Sequence, residues 1–350
     1  MMRPILQVMP QVMPQGLSCK PTRQWAPAGV ATRFTAMSDV SRRVWLYLGV
    51  TFAVTWAAWG TLAALTQAGT ISLDDPSAMV LLVVGGSAPT AAAYFAAWRT
   101  PGAGSLRELT RRVLRFRAPS GLWVVAVTGA VILGMASMAL AGLLTDVAWP
   151  DAPAAAAGLF VGLLVVSIFF GGLEEVGWRG VLQHAATTRG SNLTTRGNNL
   201  LVVNLVIAVV WGVWHLPMFW FVGGIHGDGS VGLFVLAGFG YSAVMTWLYA
   251  RTHSVALCVV FHAGINAAAT SGLAFSPNQM PGFTVQAVVA VIIGTALLLV
   301  VSARSDERST PHDPGGHPTP HDPGGHPTPH DPGGHPTPSH QIGHDRGSPA

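Results

Sequence analysis

Two adjacent acids, Glu174 and Glu175, stand in SIFFGGLEEVGWRG at the end of an apolar run, and they are the only carboxylates between Asp151 and Asp228. A charged side chain at the centre of a bilayer costs about 2.5–3.5 kcal/mol even on lenient insertion scales, so acids kept there mark functional sites. Arg179 follows at the spacing EExxxR, and His215, His262 and Asn266 stand in later apolar segments. On an α-helix, side chains four apart face each other, so Glu175 reaches Arg179. Glu174 points about 100° away and is left without that guanidinium. The expectation is a division of labour in which Glu175 and Arg179 form a structural pair and Glu174 accepts a proton from water. His262 and Asn266 are four apart in VVFHAGINAA and share one helix face. Asn can donate to a developing oxyanion, and imidazole can donate or hold a water. A base, a held water and oxyanion donors are what peptide-bond hydrolysis requires. Water would attack directly, because no Ser or Cys is placed as a nucleophile.

The elements that must position these groups follow from composition. Half of the 350 residues are hydrophobic and a tenth are charged, where a soluble domain of ordinary composition carries about a quarter charged. The expected fold is all-α, a polytopic transmembrane bundle of about eight spans with a polar cavity inside the membrane. The net charge of +4 rests almost wholly on Arg, and Lys20 is the single lysine. These arginines cluster at the ends of apolar runs, where topology explains them without nucleic acid. Cys19 and Cys258 make no disulfide framework.

Apolar runs long enough for about 30 Å of hydrocarbon fall near Val44–Leu65, Met79–Trp98, Leu122–Leu144, Ala154–Leu173, Leu200–Phe221, Val231–Ala250, Val255–Phe275 and Phe283–Ser302. Every arginine-bearing connection lies on one side, which the positive-inside rule makes cytoplasmic, together with both termini. A hairpin turning at about residue 195 sets Glu175 and His215 at similar heights, so the fourth helix is expected to continue through Arg179 toward His184. Pro217 is expected to break or kink the fifth helix after His215. The Arg107–Arg117 segment is expected to form an interfacial helix. Gly171, Gly172 and Gly177 are expected to serve close helix packing. His184, His226 and His253 fall at loop edges and carry no expected role.

The blocks EEVGWR, WGVWH and FHAGIN resemble, in this order, the three blocks EExxxR, FxxxH and HxxxN/D of the CAAX-protease and bacteriocin-processing (Abi) family of intramembrane proteases. The resemblance covers about residues 154–274. It implies a helical bundle with an intramembrane cavity and endopeptidase activity on a membrane-associated protein or peptide. In the family's pattern the first Glu activates water, the histidines assist and the Asn stabilises the oxyanion, which carries over to Glu174, His215, His262 and Asn266. Trp211 replaces the Phe of the second block, a larger aromatic wall that bears on substrate preference. Members are often called metalloproteases, and Glu174, His215 and His262 could supply a two-His, one-carboxylate zinc set. No HExxH helix accompanies them, so glutamate-activated water is preferred and zinc is the one cofactor kept open.

The domain reading is a disordered extension over 1–40, with Met37 a natural start, a transmembrane protease domain over 41–304, and a disordered tail over 305–350. The tail holds PHDPGGHPT three times in tandem from Pro311 and eight of the thirteen histidines, and such Pro/Gly density cannot repay backbone ordering. Two other function classes remain open, a transporter or proton conductor and an inactive membrane scaffold. No internal repeat favours the first, and the intact set of polar residues argues against the second.

Overall fold

The computed structural model describes residues 28–100, 106–145, 153–188, 200–227 and 229–307, and every regular element among them is helical. The N-terminal extension lies outside the described residues up to position 27, as do the Arg189–Arg196 connection and the repeat tail from position 308. The long helices are α1 (Ala28–Gln67), α2 (Pro76–Arg99) and α4 (Ser120–Leu144), with the short α3 (Leu106–Val113) between the last two. There follow α5 (Pro153–Phe169), two brief helical pieces α6 (Glu175–Gly177) and α7 (His184–Thr187), then α8 (Leu200–His215), α9 (Val231–Thr252), α10 (Val255–Ser271) and α11 (Gly282–Glu307).

Among the described residues seven helical stretches are long and apolar enough to cross a membrane, and the eighth expected run is α10, which is shorter. The protein is thus a multi-pass membrane bundle. At 17 residues, α10 rises about 25 Å, less than a bilayer core. Its apolar run continues through Leu273–Phe275, but Gly272 adopts φ 81° and ends the helix there, a left-handed conformation that costs a glycine nothing. The shortfall is tolerable because α10 is the central helix, packed by α4, α5 and α9 and buried along most of its length. α5 is the opposite case. Leu159, Val161, Val165 and Phe169 are exposed on it, as a helix facing acyl chains requires.

The fourth span does not continue as one α-helix. It is interrupted after Phe169 by Gly171 at φ 124°, and resumes as a 3₁₀ turn (Gly172–Glu174), α6, a π-helical turn (Trp178–Gln183) and α7. The expected extension toward His184 is present, but as a rewound segment whose altered pitch sets where the two acids point. α8 stops at His215 and passes into a 3₁₀ turn, Leu216–Trp220, where Pro217 removes a backbone donor. Ser230 caps α9 and Ser254 caps α10 through their hydroxyls. Between these two helices His253 takes φ 52°, and so the turn that places His262 is a tight one. The Arg107–Arg117 segment is helical over Leu106–Val113 only, with Leu109 and Arg112 turned into the protein.

Close packing of α9 on α11 depends on Gly240, where an added Cβ would overlap the Ala290–Val291 backbone. Gly240→Ala is expected to destabilise the bundle by about 1–3 kcal/mol through overpacking, read as a lowered unfolding temperature in detergent. Gly158→Ala, on α5 with open space around it, is expected to leave that temperature unchanged.

Candidate active site

Three helical segments bring the polar residues to one place. The rewound fourth span supplies Glu174, Glu175 and Arg179, α8 supplies Trp211 and His215, and α10 supplies His262 and Asn266. All seven line one cavity of ≈ 570 Å³, whose remaining wall includes Met79, Val83, Phe170 and Phe234.

Glu175 is fully buried and doubly engaged. Arg179 Nη1 donates to its Oε2 at 2.6 Å, and His262 Nδ1 lies 2.7 Å from its Oε1. A carboxylate accepts, so His262 carries a proton on Nδ1 and donates it to Glu175. Arg179 also donates through Nη2 to the Ser242 hydroxyl at 2.6 Å and carbonyl at 3.1 Å. Through this one guanidinium the fourth span is tied to α9, and through Glu175 to α10.

Glu174 has different partners. Its Oε2 accepts from Trp211 Nε1 at 3.1 Å and from Trp178 Nε1 at 3.4 Å. Two neutral donors orient this carboxylate without a cation in contact. His215 Nδ1 lies 2.9 Å from the Trp211 carbonyl, which can only accept, so this imidazole also carries its proton on Nδ1. Its ring is wedged against Trp59, Trp211, Trp214 and Phe234.

Asn266 Nδ2 donates to the Phe170 carbonyl at 3.2 Å, directly at the interruption of the fourth span. A Cβ on Gly171 would overlap that amide nitrogen and come within 3.6 Å of His262 Nε2. The break in the helix therefore lies against the face that His262 and Asn266 share. Gly171, expected to serve packing alone, is required both by its φ and by this approach.

Among the described residues no three His, Cys, Asp or Glu side chains form a group able to hold a metal ion. Glu174, His215 and His262, the candidate zinc donors, are not gathered into such a set.

Sequence reasoning missed several groups. The Trp178 indole on Glu174 was within reach, being one α-helical turn along. The Glu175–His262 bond and the Ser242 anchor carry no sequence signal, since they join segments 87 and 63 residues apart. His226, expected to have no role, is buried in the cavity wall with its ring centroid 6.5 Å from that of His215.

Residues 156–268 match the family described as type II CAAX prenyl endopeptidase Rce1-like. The match agrees with the family that the three sequence blocks resemble, and it encloses every residue named in the constellation. It supports an intramembrane protease of the CAAX type. No curated protein compared with the chain matches it.

Gly171→Ala is expected to displace the Asn266 amide and abolish any activity of this cavity, while Gly158→Ala leaves it intact; both are checked by assaying equal amounts of folded protein. His226 lies in the loop between spans, and burial pushes its imidazole down to about 4 from 6.5. Its folded value is depressed, so its contribution to stability is complete above about pH 6.5 and is lost as the pH falls toward 4. His226→Gln is therefore expected to flatten the fall in unfolding temperature between pH 7 and pH 4.5, and an unchanged slope counts against it.

Proposed function

We propose that the protein is an intramembrane endopeptidase of the CAAX-protease type, hydrolysing a peptide bond of a membrane-associated protein or peptide with water activated by Glu174. The observation that carries this reading is the meeting of Glu174, His215, His262 and Asn266 on one cavity enclosed by membrane-crossing helices, with Glu175 and Arg179 holding His262 in place.

In this mechanism the Glu174 oxygen not held by the indoles takes a proton from water. The Nε2 lone pair of His215 accepts the remaining O–H of that water and orients it toward the scissile carbonyl, with His262, held by Glu175, beside it. Its oxygen bonds to the carbonyl carbon, and the electron pair of the C=O moves to the oxygen, where the Asn266 amide donates to the oxyanion. Collapse breaks the C–N bond, and the proton held on Glu174 passes to the departing amine. Glu175 and Arg179 stay paired throughout as support. The apolar remainder of the cavity wall suits a substrate that enters from the lipid phase. The protein is assigned to the cell membrane, with both termini on the cytoplasmic, arginine-bearing side.

The test is cleavage of membrane-tethered peptides, prenylated and unprenylated, by the protein in vesicles. Glu174→Ala is expected to lower kcat by about 10²–10⁴-fold, the range of a general base. Asn266→Ala is expected to cost about 10²–10³-fold, as for one oxyanion donor. Cleavage is expected to survive a strong chelator. Wild-type rates from Glu174→Ala would remove the assigned base, and loss of activity restored by added zinc would replace it with a metal.

A further inference from the structure

A second, smaller cavity of ≈ 90 Å³ lies away from the catalytic constellation, lined by Arg43 at the start of the first span, Ala97 near the end of α2, Arg112 on α3, and Gly180 and His184 of the rewound fourth span. Both arginines are more than nine-tenths buried. Burying a guanidinium costs several kcal/mol unless it is paired and hydrogen-bonded.

Arg112 Nη2 donates to the Gly180 carbonyl at 3.0 Å, and Nη1 reaches Glu108 at 3.4 Å. Its Nε–H is buried with no acceptor. Glu108 is itself partly exposed and shared with Arg111, which holds it more closely at 3.0 Å. Arg43 donates to the Thr100 hydroxyl at 2.8 Å and to the Thr100 carbonyl. Arg43 and Arg112 both line this pocket, and Glu108, which Arg112 reaches, is 40% exposed at its side chain. Two buried guanidiniums thus meet at one pocket, and the Arg112 Nε–H is the donor left there without an acceptor.

The depth of the pocket says which anion would meet it. Trp45 and Trp98, two residues beyond Arg43 and one before Arg99, are 73% and 60% exposed, and the Arg99 guanidinium lies 5.6 Å over the Trp98 ring. Exposed Trp beside Arg at the ends of spans marks the level of lipid headgroups. Basic pockets between transmembrane helices at that level hold anionic headgroups, and guanidinium forks match phosphate oxygens.

We propose that this pocket binds the phosphate of an anionic phospholipid headgroup. The bound phosphate would join the first span, α3 and the rewound fourth span at one end of the bundle. This pocket shares no lining residue with the active-site cavity.

The test uses the full chain purified in neutral detergent, titrated with phosphatidylglycerol, phosphatidylcholine or inorganic phosphate. Unfolding temperature and lipid retention in native mass spectrometry are the readouts. Phosphatidylglycerol is expected to raise the unfolding temperature and to be retained, with phosphatidylcholine much weaker. Arg112→Gln is expected to weaken phosphatidylglycerol at least tenfold. Equal lipid binding by wild type and Arg112→Gln, or no preference for the anionic lipid, would overturn the proposal. Should Arg112→Gln fail to fold, Glu108→Gln decides: removing the competing carboxylate is expected to tighten binding, and unchanged or weaker binding overturns it. Displacement of the lipid by inorganic phosphate shows that a free anion is also accepted, whereas stabilisation by the lipid alone assigns the pocket to the headgroup.

Discussion

The rest of the structure depends on one buried carboxylate, Glu175, held between Arg179 and His262. In a medium that cannot solvate charge, neither Glu175 nor Arg179 is tolerable alone, since breaking a buried ion pair costs about 3–5 kcal/mol. Their union fixes more than electrostatics. Arg179 reaches the Ser242 backbone and hydroxyl, so three segments far apart in the chain are locked in register by side chains with little rotamer freedom. A histidine orientated by a carboxylate has its tautomer chosen for it. Structural support and chemical preparation of His262 are then one interaction.

A second constraint is that backbone groups in a membrane must find partners inside the protein. Interrupting the fourth span at Gly171 releases carbonyls that water would satisfy in a soluble protein. The Phe170 carbonyl is taken by Asn266 and the Leu173 carbonyl by Thr90 of α2 at 2.6 Å. Asn266, a polar residue of the cavity, thus also helps to seal the break beside it. This double duty explains why an irregular backbone persists at membrane depth, where it lines a cavity rather than meeting lipid.

Much of this was open to reasoning from the sequence. Apolar run lengths give the spans because hydrocarbon thickness is a strict ruler, and α10 departs from it only because protein, not lipid, surrounds it. The Glu175–Arg179 spacing gives its pair because four residues separate facing positions along a helix. What the sequence conceals is the change of pitch. A uniform α-helix through residues 170–184 assigns each side chain a direction that the 3₁₀ and π turns then alter, and nothing in FGGLEEVGWRGVLQH except its glycines hints at where the winding changes. Contacts such as Glu175 with His262 or Trp211 with Glu174 depend on how separate helices lean together, which no local pattern encodes.

The π-helical turn over Trp178–Gln183 carries one residue more than the α-helical ladder needs. Deleting a residue there would let the ordinary ladder close, but everything beyond it would swing by about 100°. The Gly180 carbonyl would turn away from the Arg112 guanidinium that now donates to it, and His184 would leave the side on which it meets the Tyr249 hydroxyl. Such a segment can accommodate changes of side chain far more readily than any change of length.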